Sequence, residues 1–189
     1  MLVLASASPR RREILTAAGI PFRTAVPGIE ESPLPGETPA AYAQRLARDK
    51  ACALPCTPGD IILAADTIVV AGGEILEKPR DAEDARRMLR LLSGRAHQVI
   101  TGICLRTPDR EVLDAETTTV YFAALSDAEI SAYVASGEPA DKAGAYAIQG
   151  LASKFVSRIE GCYFNVVGLP IALVYRHLKS LWPECTPSS

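Results

Sequence analysis

Asp60-Ile-Ile-Leu-Ala-Ala-Asp66, continued by Thr67-Ile-Val-Val-Ala71, is the stretch on which the fold turns. A continuous apolar run bounded by acids suits an inner parallel strand covered on both faces. Parallel neighbours need crossover helices, so this strand predicts an α/β protein. Gly72-Gly73 permits a hairpin into Glu74-Ile-Leu76. Beyond it, Asp81 with Asp84 three residues later makes an acidic start to a helix over 82–92, short of the standard capping box, and Ser93-Gly94 stops that helix. Upstream, Thr38-Pro39 reads as cap and first turn of a helix to about Leu54.

The opening run, Met1-Leu-Val-Leu-Ala-Ser-Ala-Ser-Pro-Arg-Arg-Arg12, reads as a strand over 2–5, a tight turn and a helix over 9–18 ended by Gly19. Ser8 is placed to cap that helix and Pro9 suits its first position. Consecutive arginines beside the positive end of a helix dipole are unfavourable unless an anion joins them, which makes a phosphate site the first hypothesis. Further on, strands over 97–105 and 112–122 form a long hairpin around Pro108-Asp109. Ser126-Asp-Ala-Glu129 is a capping box for a helix to about Ser136-Gly137. A small, turn-rich stretch over 144–150, a short strand over 155–159 and a helix over 169–178 follow, the last opened by Gly168 and Pro170. The fold class is α/β, a mixed sheet with a parallel core and a long hairpin. Residues 1–189 are expected to form a single domain with a frayed tail from about 183.

The 189 residues are enough for a substantial core, and 48% hydrophobic with 22% charged is an ordinary globular composition. A formal net charge of -2 argues against broad nucleic-acid binding while leaving room for a local basic pocket. The short apolar opening has no basic region ahead of it, and no segment approaches a membrane span, so a cytoplasmic protein without membrane partners is expected. The cysteines, Cys52, Cys56, Cys104, Cys162 and Cys185, are odd in number and scattered, which fits reduced structural thiols better than zinc or redox chemistry. There is no HExxH, P-loop or GxSxG pattern.

Chemistry concentrates at strand ends. Asp66 ends the buried run where open α/β sheets bind ligands, and a carboxylate there holds Mg²⁺ or orients water; a strand-end cap is the plainer reading. Glu77-Lys78-Pro79-Arg80 sets both charge signs in a constrained turn, with Lys78 suited to phosphate. Lys50 alone says less, since exposed helical lysines are common. Glu30 and Glu31 lie in a Pro/Gly-rich segment able to cover a ligand. In Asp141-Lys-Ala-Gly-Ala-Tyr-Ala-Ile-Gln149-Gly, small residues permit close backbone approach. There Tyr146 is placed to pack on a sugar or base, and Gln149 both donates and accepts. His97, at a strand start, suits a structural role better than acid or base work.

Several ordered stretches match one pattern: Leu4-Ala-Ser-Ala-Ser-Pro-Arg-Arg11, Ile29-Glu-Glu31, Arg45-Leu-Ala-Arg-Asp-Lys50, Ala65-Asp-Thr-Ile68, Leu76-Glu-Lys-Pro79, Ser93-Gly94 with His97, Asp141-Lys-Ala-Gly-Ala-Tyr146, Ile148-Gln-Gly150 and Val167-Gly-Leu-Pro170. In these the chain resembles the Maf family of nucleoside triphosphate pyrophosphatases over nearly its whole length. The resemblance implies two lobes around a cleft, similar to inosine triphosphate pyrophosphatases. It implies Mg²⁺- or Mn²⁺-dependent hydrolysis between the α and β phosphates, and a homodimer. Asp66 takes the position of the proton acceptor, or orients water through the metal. Ser8, Arg10, Arg11, Lys50, Glu77 and Lys78 resemble the substrate-binding set, and Glu30 an acidic residue linked to metal or water handling.

Within the family, members acting on dTTP and UTP resemble this chain in having Arg10, Thr67 and Gln149 at three selectivity positions. A sister group acting on 7-methyl-GTP typically carries a bulky aromatic at the first and glutamate at the last. A neutral amide pairs with a pyrimidine edge, whereas glutamate suits the donors of methylated guanine. Arg12 is assigned to the surface. The expected activity is hydrolysis of dTTP and UTP to monophosphate and pyrophosphate. The alternatives are another modified nucleotide, 7-methyl-GTP included, or a nucleotide-binding regulator of cell division.

Overall fold

In the computed structural model, residues 1–29 and 32–182 are described. Glu30, Glu31 and the expected tail, with Cys185, lie outside them. Strands β1 (Leu2–Ala5), β2 (Phe22–Ala25), β3 (Ile61–Ala71), β4 (Glu74–Leu76), β5 (Ala96–Arg106), β6 (Glu111–Phe122) and β7 (Val156–Glu160) alternate with helices α1 (Pro9–Ala17), α2 (Pro39–Cys52), α3 (Ala82–Leu92), α4 (Asp127–Ala135), α5 (Tyr163–Val167) and α6 (Ile171–Leu181). One mixed sheet runs β2-β1-β3-β5-β6-β7, with β4 on β3. β1 pairs parallel with β2 and β3, whereas β3/β4 and β6/β7 are antiparallel. The α/β class with a parallel core and a long hairpin is what the apolar run at 60–71 requires.

Local chemistry explains the helix ends. The Thr38 side chain accepts from Ala41 N–H, Asp81 accepts from Asp84 N–H, and Ser126 with Glu129 forms the full capping box. At the end of α1, Gly19 has φ +68. Its N–H reaches Thr16 O at 3.0 Å and the next N–H reaches Leu15 O at 3.1 Å, closing a Schellman motif that needs a left-handed residue.

Four sequence expectations are corrected. Ser8 stands at the N-cap of α1 without a side-chain cap bond; its own N–H turns back to Ser6 Oγ at 3.1 Å. Pro170 is the N-cap of α6, not its first helical residue, and the short helix α5 precedes it. Strand β2, absent from the sequence reading, continues the parallel edge of the sheet. Tyr146 is buried rather than offered to a sugar or base.

The chain divides into two compact units. The first gathers the described residues of Met1–Asp66, Thr101–Glu116 and Gly168–Ser189; the second gathers Thr67–Ile100 and Thr117–Val167. In the first, Val3, Ala5, Ile62 and Ala64 of the sheet pack on Ala47 and Ala51 of α2 and on Cys104. The small residues there bring helix and strand together: a Cβ at Gly102 would sit 2.4 Å from the backbone of Ala43. In the second, Val69, Leu76, Leu89, Leu92, Val120, Phe122, Tyr133, Tyr146 and Phe155 form one buried cluster.

Candidate active site

The first unit carries the most unusual ionic arrangement. Lys50 is 9% exposed and Asp66 7% exposed, and Lys50 Nζ donates to Asp66 Oδ1 at 2.6 Å. Helix periodicity explains the lysine's burial: Tyr42, Ala43, Leu46, Ala47, Lys50 and Ala51 share the inward face of α2. Ions so withdrawn from water are costly unless paired, and a buried pair kept in this way is a candidate for chemistry. The ordinary surface reading of Lys50 is thereby corrected. The strand-end expectation for Asp66 is corrected too: it stands in the middle of β3, because the strand runs on through Thr67 to Ala71.

The loop after β1 builds a second cationic position. Arg11 Nε donates to Gly168 O at 2.8 Å and its Nη1 to Ser6 Oγ at 3.2 Å. Ser6 is buried, and its hydroxyl takes the Ser8 N–H as well. The sequence reading gave Ser6 no role and Gly168 only a helix start, although both stand in motifs it quoted. A hydroxyl emerging from a buried strand was the available signal. Arg10 is half-buried, whereas Arg12 is exposed and reaches Ala7 O at 3.3 Å, which supports its surface assignment.

Near the segment that carries Glu30, Arg45 makes a bidentate fork on Glu37 at 2.8 and 2.9 Å and reaches Ser32 O at 2.9 Å. The hydrogen bond from Arg45 lowers the Glu37 pKa below its ordinary value. Glu30 itself lies outside the described residues. Among those residues no group of three or more His, Cys, Asp or Glu gathers to hold a metal. Asp66 nonetheless supplies the hard oxygen that Mg²⁺ or Mn²⁺ takes, and Mg²⁺ commonly rests on one or two carboxylates plus substrate phosphates. The donor chemistry of Asp66 therefore suits a hard divalent cation.

In the second unit, Thr67 is half-buried on β3, and Glu77 and Lys78 stand exposed after β4. The small-residue loop comes close to that turn: Gly144 N–H donates to Glu77 O at 3.1 Å. Gly144 has φ +67, and a Cβ there would meet the Val69 side chain at 2.9 Å, so glycine is required twice over. Gln149 is exposed on the following turn, where Gly150 N–H bonds Ala147 O at 3.0 Å.

Beneath this loop, Tyr146 and His97 are joined at 2.9 Å between hydroxyl and Nε2, with Phe122 edge-on to both rings. His97 is 3% exposed, and burial pushes its pKa down to about 4. It is a neutral core histidine at physiological pH, as the structural reading expected. The described cysteines are free, and burial raises the Cys104 thiol to about 12, so that thiol is inert. Among the described residues no helix is long and apolar enough to cross a membrane.

The Maf-like protein family model matches residues 1–181. A Koribacter versatilis protein named dTTP/UTP pyrophosphatase is 55% identical over 94% of this chain and 93% of its own. One of the same name from Geobacter sulfurreducens is 55% identical over 95% of this chain and 96% of its own. Among solved structures, the Ham1 protein of Staphylococcus aureus shares the fold with a TM-score of 0.53 at 16% identity, covering 95% of this chain and 98% of that one. With the family model matching residues 1–181 and relatives 55% identical over more than nine-tenths of the chain, the chain belongs to the Maf family.

Proposed function

We propose that this chain hydrolyses dTTP and UTP to the nucleoside monophosphate and pyrophosphate. The observation that carries the reading is the buried pair of Lys50 on α2 and Asp66 in the middle of β3, 2.6 Å apart. It is supported by the Arg11 guanidinium oriented by Ser6 and Gly168, and by the shared name of relatives matching more than nine-tenths of the chain.

A triphosphate carries several negative charges, and the reaction must manage them while water is delivered to phosphorus. Arg11, Lys78 and Lys50 supply the cations, with Arg11 giving directed, paired donors and the lysines compact point charges. Ser8 and Arg10 join the phosphate-binding set from the same loop, and Glu77 helps to place Lys78. Asp66 accepts the proton of the attacking water or orients that water; Lys50 fixes which carboxylate oxygen faces the reaction. A divalent cation held by Asp66 and Glu30 would neutralise phosphate charge and acidify water. Arg10, Thr67 and Gln149 select the base, the Gln149 amide offering one donor and one acceptor to the edge of uracil or thymine.

A substrate panel tests the reading. With Mg²⁺ or Mn²⁺, dTTP and UTP are expected to turn over with the highest kcat/KM among dTTP, UTP, CTP, ATP, GTP and 7-methyl-GTP. Preference for 7-methyl-GTP, or equal turnover of all six, would contradict it.

A further inference from the structure

Gln149 is exposed on a short turn, and an exposed amide selects a base only if the backbone beneath it is fixed. A polar chain inside the second unit does this. The hydroxyl of Tyr133, a buried residue of α4, donates to Glu138 Oε1 at 2.8 Å and accepts the Ala147 N–H at 3.3 Å. The other carboxylate oxygen, Oε2, accepts the Leu151 N–H at 3.0 Å. Ala147 and Leu151 are the residues two before and two after Gln149, so one tyrosine–glutamate pair grips both shoulders of its turn.

The turn is shaped around the carboxylate. A Cβ at Gly150 would lie 2.5 Å from both Glu138 oxygens, so glycine is needed there for close approach and not for a left-handed backbone. Glu138 is anchored in turn. Its N–H meets Ser136 Oγ at 3.3 Å, and its carbonyl accepts Lys142 Nζ at 2.7 Å. Burial, then the neighbouring carboxylate, raises the Tyr133 pKa, which keeps the hydroxyl protonated as the donor this chain requires.

We infer that Tyr133 and Glu138 are positioning residues for base selection, acting through the backbone on either side of Gln149. The inference rests on the proposed pyrimidine-selecting role of Gln149. Neither residue is placed against substrate by the sequence pattern, and both lie outside the motifs quoted for the family.

The test is kinetic, on the whole chain, with UTP and CTP in the presence of Mg²⁺. Tyr133→Phe removes the bond to Glu138 while keeping the ring. Glu138→Gln leaves one acceptor oxygen where two are used. Gly150→Ala drives the flexible carboxylate aside with Tyr133 and Glu138 both intact, and is the variant least able to disturb folding. Each is expected to raise the UTP KM about tenfold with kcat held within about threefold, and to lower the UTP-to-CTP ratio of kcat/KM by about tenfold. Glu138→Gln should fall between wild type and Glu138→Ala. Equal losses on both nucleotides, or a fall in kcat alone, would mean a merely structural role and overturn the inference. Gln149→Ala separates the two readings. If it leaves the ratio unchanged, base selection by Gln149 fails and the clamp's role falls with it. If it lowers the ratio while the three clamp variants do not, the clamp alone is wrong.

Discussion

Lys50 Nζ and Asp66 Oδ1 lie 2.6 Å apart, with both side chains about nine-tenths withdrawn from solvent. A helix residue and a mid-strand residue, sixteen positions apart, thus meet as a buried ion pair. Replacing Lys50 takes this cation from the buried Asp66 carboxylate, and that loss exceeds the net worth of the pair itself.

Lys50→Met is therefore expected to destabilise the protein by about 3 kcal/mol, and the double variant Lys50→Met, Asp66→Asn by clearly less than the sum of its parts. Urea unfolding of the four proteins checks this. Additive losses would mean that the two charges do not compensate each other. In kinetics, Asp66→Asn should keep the KM for UTP near wild type and lower kcat by about a thousandfold, the scale of a lost general base.

The geometry of Arg11 makes a sharper demand than charge alone. Its Nε and Nη1 point separately at Gly168 O and Ser6 Oγ, a fork that an ammonium does not reproduce. Arg11→Lys is expected to raise the KM for UTP by about tenfold despite the kept charge. An unchanged KM would remove Arg11 from the phosphate-binding set.

His97 gives a pH signature independent of catalysis. Burial lowers its pKa to about 4 from an ordinary 6.5, so between those values the unfolded chain binds a proton that the folded chain refuses. Stability rises with pH wherever the unfolded state binds more protons. The His97 contribution is therefore whole above about pH 6.5 and is lost as pH falls towards 4, by on the order of 3 kcal/mol. Unfolding of wild type and His97→Phe from pH 4 to 7 should show a smaller acid loss in the variant. Parallel curves would contradict the assignment.

Gly102 tests the first core. A Cβ at this position would sit 2.4 Å from the Ala43 carbonyl carbon and oxygen, and backbone cannot swing away as a side-chain tip does. Gly102→Ala should cost about 3 kcal/mol, the upper range for overpacking, seen as a lower urea midpoint at unchanged slope. A midpoint equal to wild type would show that α2 and β5 are looser than their contact implies.

The sequence made the sheet legible because its strongest signals are local. An apolar run at 61–71, the caps Thr38, Asp81 and Ser126, and Gly19 past the end of α1 each act within a few residues. What escaped depended on distant partners. Strand β2 is short and half-exposed, with no alternation to mark it, and exists because β1 lies beside it. Lys50 read as an ordinary helical lysine because its carboxylate is in another element. Tyr146 read as a ligand platform, since its sequence neighbours are small; in the fold it fills the core against His97 and Phe122. The Ser6 hydroxyl, not that of Ser8, collects the N–H groups of the first loop. The apolar run before it singled out Asp66, but its place in the middle of β3 and its pairing with Lys50 were beyond any local pattern.

The most direct test of the central claim is the identity of the products from UTP with Mg²⁺, followed by ³¹P NMR as the reaction proceeds. The account predicts UMP and pyrophosphate in equal amounts from the first turnover, with both signals lost in Asp66→Asn. UDP and orthophosphate would place the cleavage at the other bond and contradict it.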